Sequence, residues 1–213
     1  MTGTRITHTI FMILAAWLLG SPAVMAREVA ASRVDSCTAC HGAGGVSNNP
    51  LVPTLAGQPY TLIEDNLLAF RSGKRACGPG RNDGSAAAAL AQAMCTTVAA
   101  LSDDDIAALS QYFESQHFEA AEQSFDPELA EQGSRLHADF GCERCHADGG
   151  RETRLMAPVL AGQWRPYLER AMNHLRSGLK NGPREMNAAI RQLSDSEVEA
   201  LLDYYASQST LED

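Results

Sequence analysis

Six cysteines carry most of the reactive chemistry in this 213-residue chain, and four of them stand in two matched motifs. Cys37-Thr-Ala-Cys40-His41 and Cys142-Glu-Arg-Cys145-His146 both read C-x-x-C-H. Two thiols at that spacing can add to the two vinyl groups of one haem, and the histidine that follows then lies under the iron. This is the pattern of c-type haem attachment. A Cys₄ zinc site would leave both histidines unexplained. A redox-active dithiol of the thioredoxin kind would need a βαβ setting, and neither motif has one. The motifs imply two covalently attached haem c groups. Cys37, Cys40, Cys142 and Cys145 are the expected attachment points, and His41 and His146 the expected proximal iron ligands.

A haem iron with one histidine takes a sixth ligand or keeps an open position, and that choice separates electron carriers from oxygen binders and peroxidases. Past residue 26, Met94 is the only methionine of the first half, while the second offers Met156, Met172 and Met186. Met156 is ten residues from His146, a short path around a porphyrin edge. Met172 falls in a helical pattern, where methionine commonly fills core space. Met186 shares the register of Met94, seven residues before Leu-Ser-Asp. Met94 and Met186 are therefore the expected distal ligands; a thioether there raises the potential and leaves no substrate position on the iron. Ligation by His137 is disfavoured, because the attachment motif already occupies that side of the ring, although His137 could touch the haem edge. His117 and His174 read as surface residues.

Pro53 and Pro158 each follow the proximal histidine by twelve residues. A prolyl carbonyl there could take the imidazole N–H and so fix tautomer and ring angle. Arg71 and Arg176, in the repeated Arg-Ser-Gly, have two readings: partners of haem propionates, or a solvated helix end. The two remaining thiols, Cys77 and Cys95, bracket a segment found only in the first half. In an exported protein two spare thiols usually oxidise, so a Cys77–Cys95 disulfide is expected.

These residues must be held by the elements between them, and the chain repeats those once. Pro53-Thr-Leu-Ala-Gly-Gln58 matches Pro158-Val-Leu-Ala-Gly-Gln163 at the 105-residue offset of the cysteine motifs, and Phe70-Arg-Ser-Gly73 matches Leu175-Arg-Ser-Gly178. Beyond that the offset falls to 92, for Met94/Met186, Leu101-Ser-Asp103/Leu193-Ser-Asp195 and Tyr112-Phe113/Tyr204-Tyr205, so the first copy carries 13 extra residues between Arg75 and Met94. Each copy reads as helical. A short helix leads into the motif, roughly residues 28–36 and 127–140. A middle helix follows the Ala-Gly-Gln turn, near Tyr60–Arg71 and Pro166–Arg176. A last helix opens on Ser102 or Ser194 as the N-cap, with an acid at N3. Apolar residues at helical spacing follow each cap, and no period-two strand pattern is convincing. The fold class is all-α, in two tandem domains of residues 27–120 and 121–213, joined by a polar stretch that ends before Pro127.

Residues 1–26 read as a leader. Arg5 is its only charge, Ile10–Leu19 is an unbroken apolar run, and Val24-Met25-Ala26 offers small residues for cleavage after Ala26. Ten apolar residues are too few for about 30 Å of hydrocarbon. An uncleaved anchor is the competing reading; cleavage would give a periplasmic chain with no membrane span. The formal charge is −9, with 45% hydrophobic and 20% charged residues. That is ordinary for a globular protein and excludes nucleic acid as the main partner, since phosphate recognition needs a basic face.

Taken together, these motifs resemble the two-domain, dihaem class I cytochromes c. Cys-Thr-Ala-Cys-His, Pro-Thr-Leu-Ala-Gly-Gln, Phe-Arg-Ser-Gly-Lys-Arg and Met94 before Leu-Ser-Asp look like cytochrome c4. The second half, with Gln123-Ser-Phe-Asp, Leu136-His137, Cys142-Glu-Arg-Cys-His-Ala-Asp-Gly-Gly150 and Leu160-Ala-Gly-Gln-Trp-Arg-Pro-Tyr-Leu168, is similar to the cytochrome subunit of flavocytochrome c sulfide dehydrogenase. That resemblance implies a non-catalytic electron-transfer subunit docked on an FAD-containing sulfide-oxidising flavoprotein. It would pass electrons through two haems to a soluble or membrane-bound acceptor. A free-standing carrier feeding a terminal oxidase is the alternative. A dihaem peroxidase or thiosulfate-oxidising enzyme would need a replaceable ligand, against which methionine at both distal positions argues.

Overall fold

The computed structural model describes residues 33–75, 85–153, 156–180 and 182–208. The leader and Cys77 lie outside the described residues, as does part of the segment special to the first half. In the first half, α1 (residues 33–41) is followed by α2 (Tyr60–Arg71), α3 (Ala86–Val98) and α4 (Asp103–Glu114). The second half runs α5 (Pro127–Asp139), the single turn α6 (Ala147–Gly150), α7 (Arg165–Arg176), α8 (Arg184–Gln192) and α9 (Asp195–Ser207). The architecture is all-α; the one short strand among the described residues, Glu152–Thr153, bridges back to His146 and Ala147.

The helix starts have local causes. Ser102 takes the Asp105 N–H while the Asp105 carboxylate takes the Ser102 N–H, a complete capping box, and Ser194 and Glu197 repeat it for α9. Asp126 caps α5 through the N–H groups of Glu128 and Leu129, with Pro127 in the first turn. The two halves differ just before their motifs. Helix α1 continues through Cys37, Cys40 and His41, whereas α5 ends at Asp139 and Cys142–Arg144 forms a 3₁₀ turn. The cause is Gly141, which takes a left-handed conformation (φ 65°); Ser36 holds the corresponding place in the first half, and only glycine stops a helix that way without strain.

Each half has its own core, built from equivalent positions. Ile63, Leu67, Val98, Leu101, Ile106, Leu109 and Phe113 pack together in the first, and Leu168, Leu193, Val198, Leu201, Leu202 and Tyr205 in the second. The Ala-Gly-Gln turns then tie the middle of each half to its last helix. Gly57 (φ +66°) donates to the Phe113 carbonyl at 2.8 Å, and Gly162 (φ +67°) to the Tyr205 carbonyl at 2.9 Å. Each turn needs the left-handed backbone that glycine adopts freely, and it throws the following glutamine outward, toward the other half.

Candidate functional site

His41 and His146 are both buried, 8% and 5% exposed. Each ring donates Nδ1–H to a prolyl carbonyl: His41 to Pro53 at 2.9 Å, His146 to Pro158 at 3.1 Å. Burial lowers the pKa of both, more than the bond to the carbonyl raises it. The rings are thus neutral, with the proton fixed on Nδ1 and the lone pair on Nε2, the state a metal-bound imidazole needs.

None of the four motif cysteines is spent in a disulfide. Burial first, and Cys40 second, push the Cys37 thiol up to about 11; burial also raises Cys142. A working redox dithiol has a depressed thiol pKa, and Cys37 and Cys142 shift the other way. Among the described residues no three His, Cys, Asp or Glu side chains gather as a metal-binding group, which leaves no Cys₄ zinc site there. Paired thiols followed by a buried imidazole fit covalent attachment of a porphyrin. An open pocket of about 370 Å³ lies beside the first motif, lined in part by Cys40, Asn48, Asn49, Val52 and Leu90.

A cationic group gathers where the two halves meet. Arg75 from the first half, with Arg170 and Lys180 from the second, surrounds the half-buried Tyr167. Burial alone would raise that phenol, yet the three cations together bring it below its ordinary range. Arg170 spans the halves by donating to the Leu51 carbonyl at 2.9 Å, and its Nη1 is buried without a hydrogen-bond partner. A buried, unpartnered guanidinium nitrogen in a cationic cluster has the character of a carboxylate site.

Met94 lies in α3, partly buried against the first core, and Met186 lies in the first turn of α8. Met172 packs against the second core, and Met156 is 53% exposed. Cys95 follows Met94 in α3, while its expected partner Cys77 lies outside the described residues. Arg71 and Arg176 each close the last turn of the middle helix. Arg71 donates to the Leu101 carbonyl at 2.9 Å and pairs with Asp103. Arg176 donates to the Leu193 carbonyl at 3.2 Å and pairs with Asp195 at 2.6 Å. Both hold the middle helix to the start of the last one. His137 is buried between α5 and α9, bonded through Nδ1 to the Tyr205 hydroxyl at 3.0 Å, with Nε2 unpartnered. His117 is exposed and His174 half-buried.

Gln58 and Gln163 were visible in the sequence only as repeated letters. Gln163 holds the backbone of Thr54 through both ends of its amide, and Gln58 does the same to Val159. Trp164 adds a bond from Nε1 to the Ser47 carbonyl at 2.7 Å. The two motif-bearing regions therefore face each other across a hydrogen-bonded seam.

Comparison with known proteins gives the following. Residues 27–117 match the family model described as cytochrome c, and residues 128–204 the model described as cytochrome c oxidase, cbb3-type, subunit III. Cytochrome c4 of Stutzerimonas stutzeri is 31% identical over 188 residues, covering 83% of this chain and 86% of the relative. A thiosulfate dehydrogenase electron acceptor of Thiomonas intermedia is 28% identical, covering 81% and 78%. The crystal structure of reduced recombinant cytochrome c4 from Pseudomonas stutzeri superposes with a TM-score of 0.66 at 30% identity, over 84% of this chain and 96% of that one.

Proposed function

We propose that this chain, which belongs to the dihaem, cytochrome c4-like family of c-type cytochromes, carries single electrons in the periplasm from a dehydrogenase of reduced sulfur compounds to a further redox protein. Its two cytochrome c halves hold two covalently bound haem c groups. When bound, each iron supplies one-electron exchange between ferric and ferrous states. In this reading Cys37, Cys40, Cys142 and Cys145 form the thioether links, and His41 and His146 present Nε2 to the metal. Met94 and Met186 close the distal side and shut out substrate, so the chain is a carrier, not an enzyme. The carrying observation is the repeated pair of buried imidazoles, each locked by a prolyl carbonyl in the tautomer that leaves Nε2 free.

The reading includes removal of residues 1–26 on export and domains of residues 27–120 and 121–213. It also includes a Cys77–Cys95 disulfide formed after export. Closing that loop would contribute about 3 kcal/mol and tether the helix that carries Met94.

The donor we favour is an FAD-containing sulfide dehydrogenase flavoprotein, on the residues of the second half quoted above. Likeness to a thiosulfate dehydrogenase electron acceptor supports a second donor, an enzyme that oxidises thiosulfate. The test mixes the purified holoprotein with each dehydrogenase and its substrate and follows haem reduction. Reduction by sulfide only in the presence of the flavoprotein, with co-purification of the two, supports the first donor. Reduction only with thiosulfate and its dehydrogenase replaces it by the second, and reduction by neither overturns the sulfur-linked reading.

A further inference from the structure

One peptide unit lies between each proximal histidine and the opposite half. The carbonyl of the Pro53–Thr54 peptide takes the Nδ1 proton of His41 at 2.9 Å. The N–H of that same peptide donates to Oε1 of Gln163 at 3.0 Å, and Gln163 Nε2 returns a bond to the Thr54 carbonyl at 3.0 Å. The arrangement is reciprocal. The Pro158–Val159 peptide takes the proton of His146 at 3.1 Å and donates to Gln58 Oε1 at 3.1 Å, and Gln58 Nε2 donates to the Val159 carbonyl at 3.2 Å. Gln58 and Gln163 are 4% and 2% exposed, so water does not compete for these bonds, and a dry setting strengthens them.

We propose that Gln58 and Gln163 are crossed positioning residues: each sets the strength of the proximal histidine in the other half, and so ties the potential of each haem to the docking of the two domains. Hydrogen bonds in a chain polarise one another. A peptide whose N–H is held by an acceptor has a more electron-rich carbonyl, which draws harder on the imidazole Nδ1–H. That raises the basicity of the ligand and favours ferric iron, lowering the potential. Gln163 therefore lowers the potential at His41, and Gln58 lowers it at His146. The inference rests on the proposed ligation by His41 and His146. Failure of that ligation would show in the visible spectrum of the unsubstituted holoprotein, before any variant is made.

The test is a redox titration of the full holoprotein followed by proton NMR, in which each haem gives its own shifted methyl resonances. Gln163→Met keeps the side-chain volume and removes both bonds to Thr54. It is expected to raise the potential of the first-half haem, leave the second unchanged, and move the His41 Nδ1–H resonance. Gln58→Met is expected to do the mirror image. Trp164→Phe, which removes the Ser47 bond across the same seam, should reproduce neither shift. The proposal is overturned if each glutamine variant moves the haem of its own half, moves both equally or moves neither, or if Trp164→Phe matches Gln163→Met. Amide exchange on the unsubstituted holoprotein needs no variant to fold. Slow exchange at Thr54 and Val159 supports the clamps, and unprotected exchange overturns them.

Discussion

The imidazole of His41 and the carbonyl of Pro53 are joined by a 2.9 Å hydrogen bond across twelve residues of chain. The turn after Cys-x-x-Cys-His brings the chain back to the imidazole. His146 and Pro158 repeat the relationship. Both halves of the repeat keep the same bond.

Distal ligation is the first point to check. Met94→Ala should abolish about half of the methionine-to-iron band at the red edge of the ferric spectrum and lower the potential of one haem, because thioether ligation raises it. Met186→Ala should do the same to the other. Met172→Ala should leave the band whole and cost about 2–5 kcal/mol only to the extent that its partly buried side chain leaves a cavity.

Phe113 is 1% exposed at the centre of the first core, and its ring lies against Gly45 in the turn after the first motif. Phe113→Ala is expected to cost about 3–5 kcal/mol. In a denaturant titration the first half should unfold early while the second keeps its midpoint.

Gly133 of α5 lies against Ala200 and Tyr204 of α9. A methyl group there would stand 2.0 Å from the Ala200 carbonyl oxygen, so Gly133→Ala must push the helices apart. The expected cost is about 1–3 kcal/mol, read as a lower melting temperature of the second half, with the near-ultraviolet signal of Tyr204 and Tyr205 changed.

The capping boxes give a pH dependence with a definite sign. Hydrogen bonds from the Ser102 backbone and side chain hold the Asp105 carboxyl below its ordinary range, and Ser194 does the same to Glu197. A depressed carboxyl contributes stability that is present above its unfolded pKa and is lost as pH falls through the folded one. Melting temperature should therefore drop below about pH 4. Replacing Ser102 and Ser194 with alanine should cost about 1 kcal/mol per cap near neutrality and flatten that part of the profile.

Much of this was legible in the sequence because its causes are local. The serine caps of α4 and α9, the span Tyr60–Arg71 and the equivalence of the two cores follow from caps, periodicity and the repeat. What escaped depends on contacts that spacing does not carry. Gln58 and Gln163 stood out as repeated letters, but a repeat says that two positions are equivalent, not that they face each other's domain. Arg71 and Arg176 sit at helix ends, where a guanidinium can reach several partners, and their pairing with Asp103 and Asp195 depends on where the last helix starts in space. His137 is bonded to Tyr205, from a helix far along the chain, a contact that spacing does not carry. The different conduct of α1 and α5 turned on one glycine, Gly141, one residue past the helix expected over 127–140.

The most direct measurement is the intact mass of the matured protein under denaturing conditions, after removal of anything held without a covalent bond. The mass is predicted to equal that of residues 27–213 plus two haem groups, less the two hydrogens of the proposed disulfide, with Cys40→Ser and Cys145→Ser each weakening one attachment. A colourless product with the mass of the bare polypeptide would contradict the assignment of both motifs.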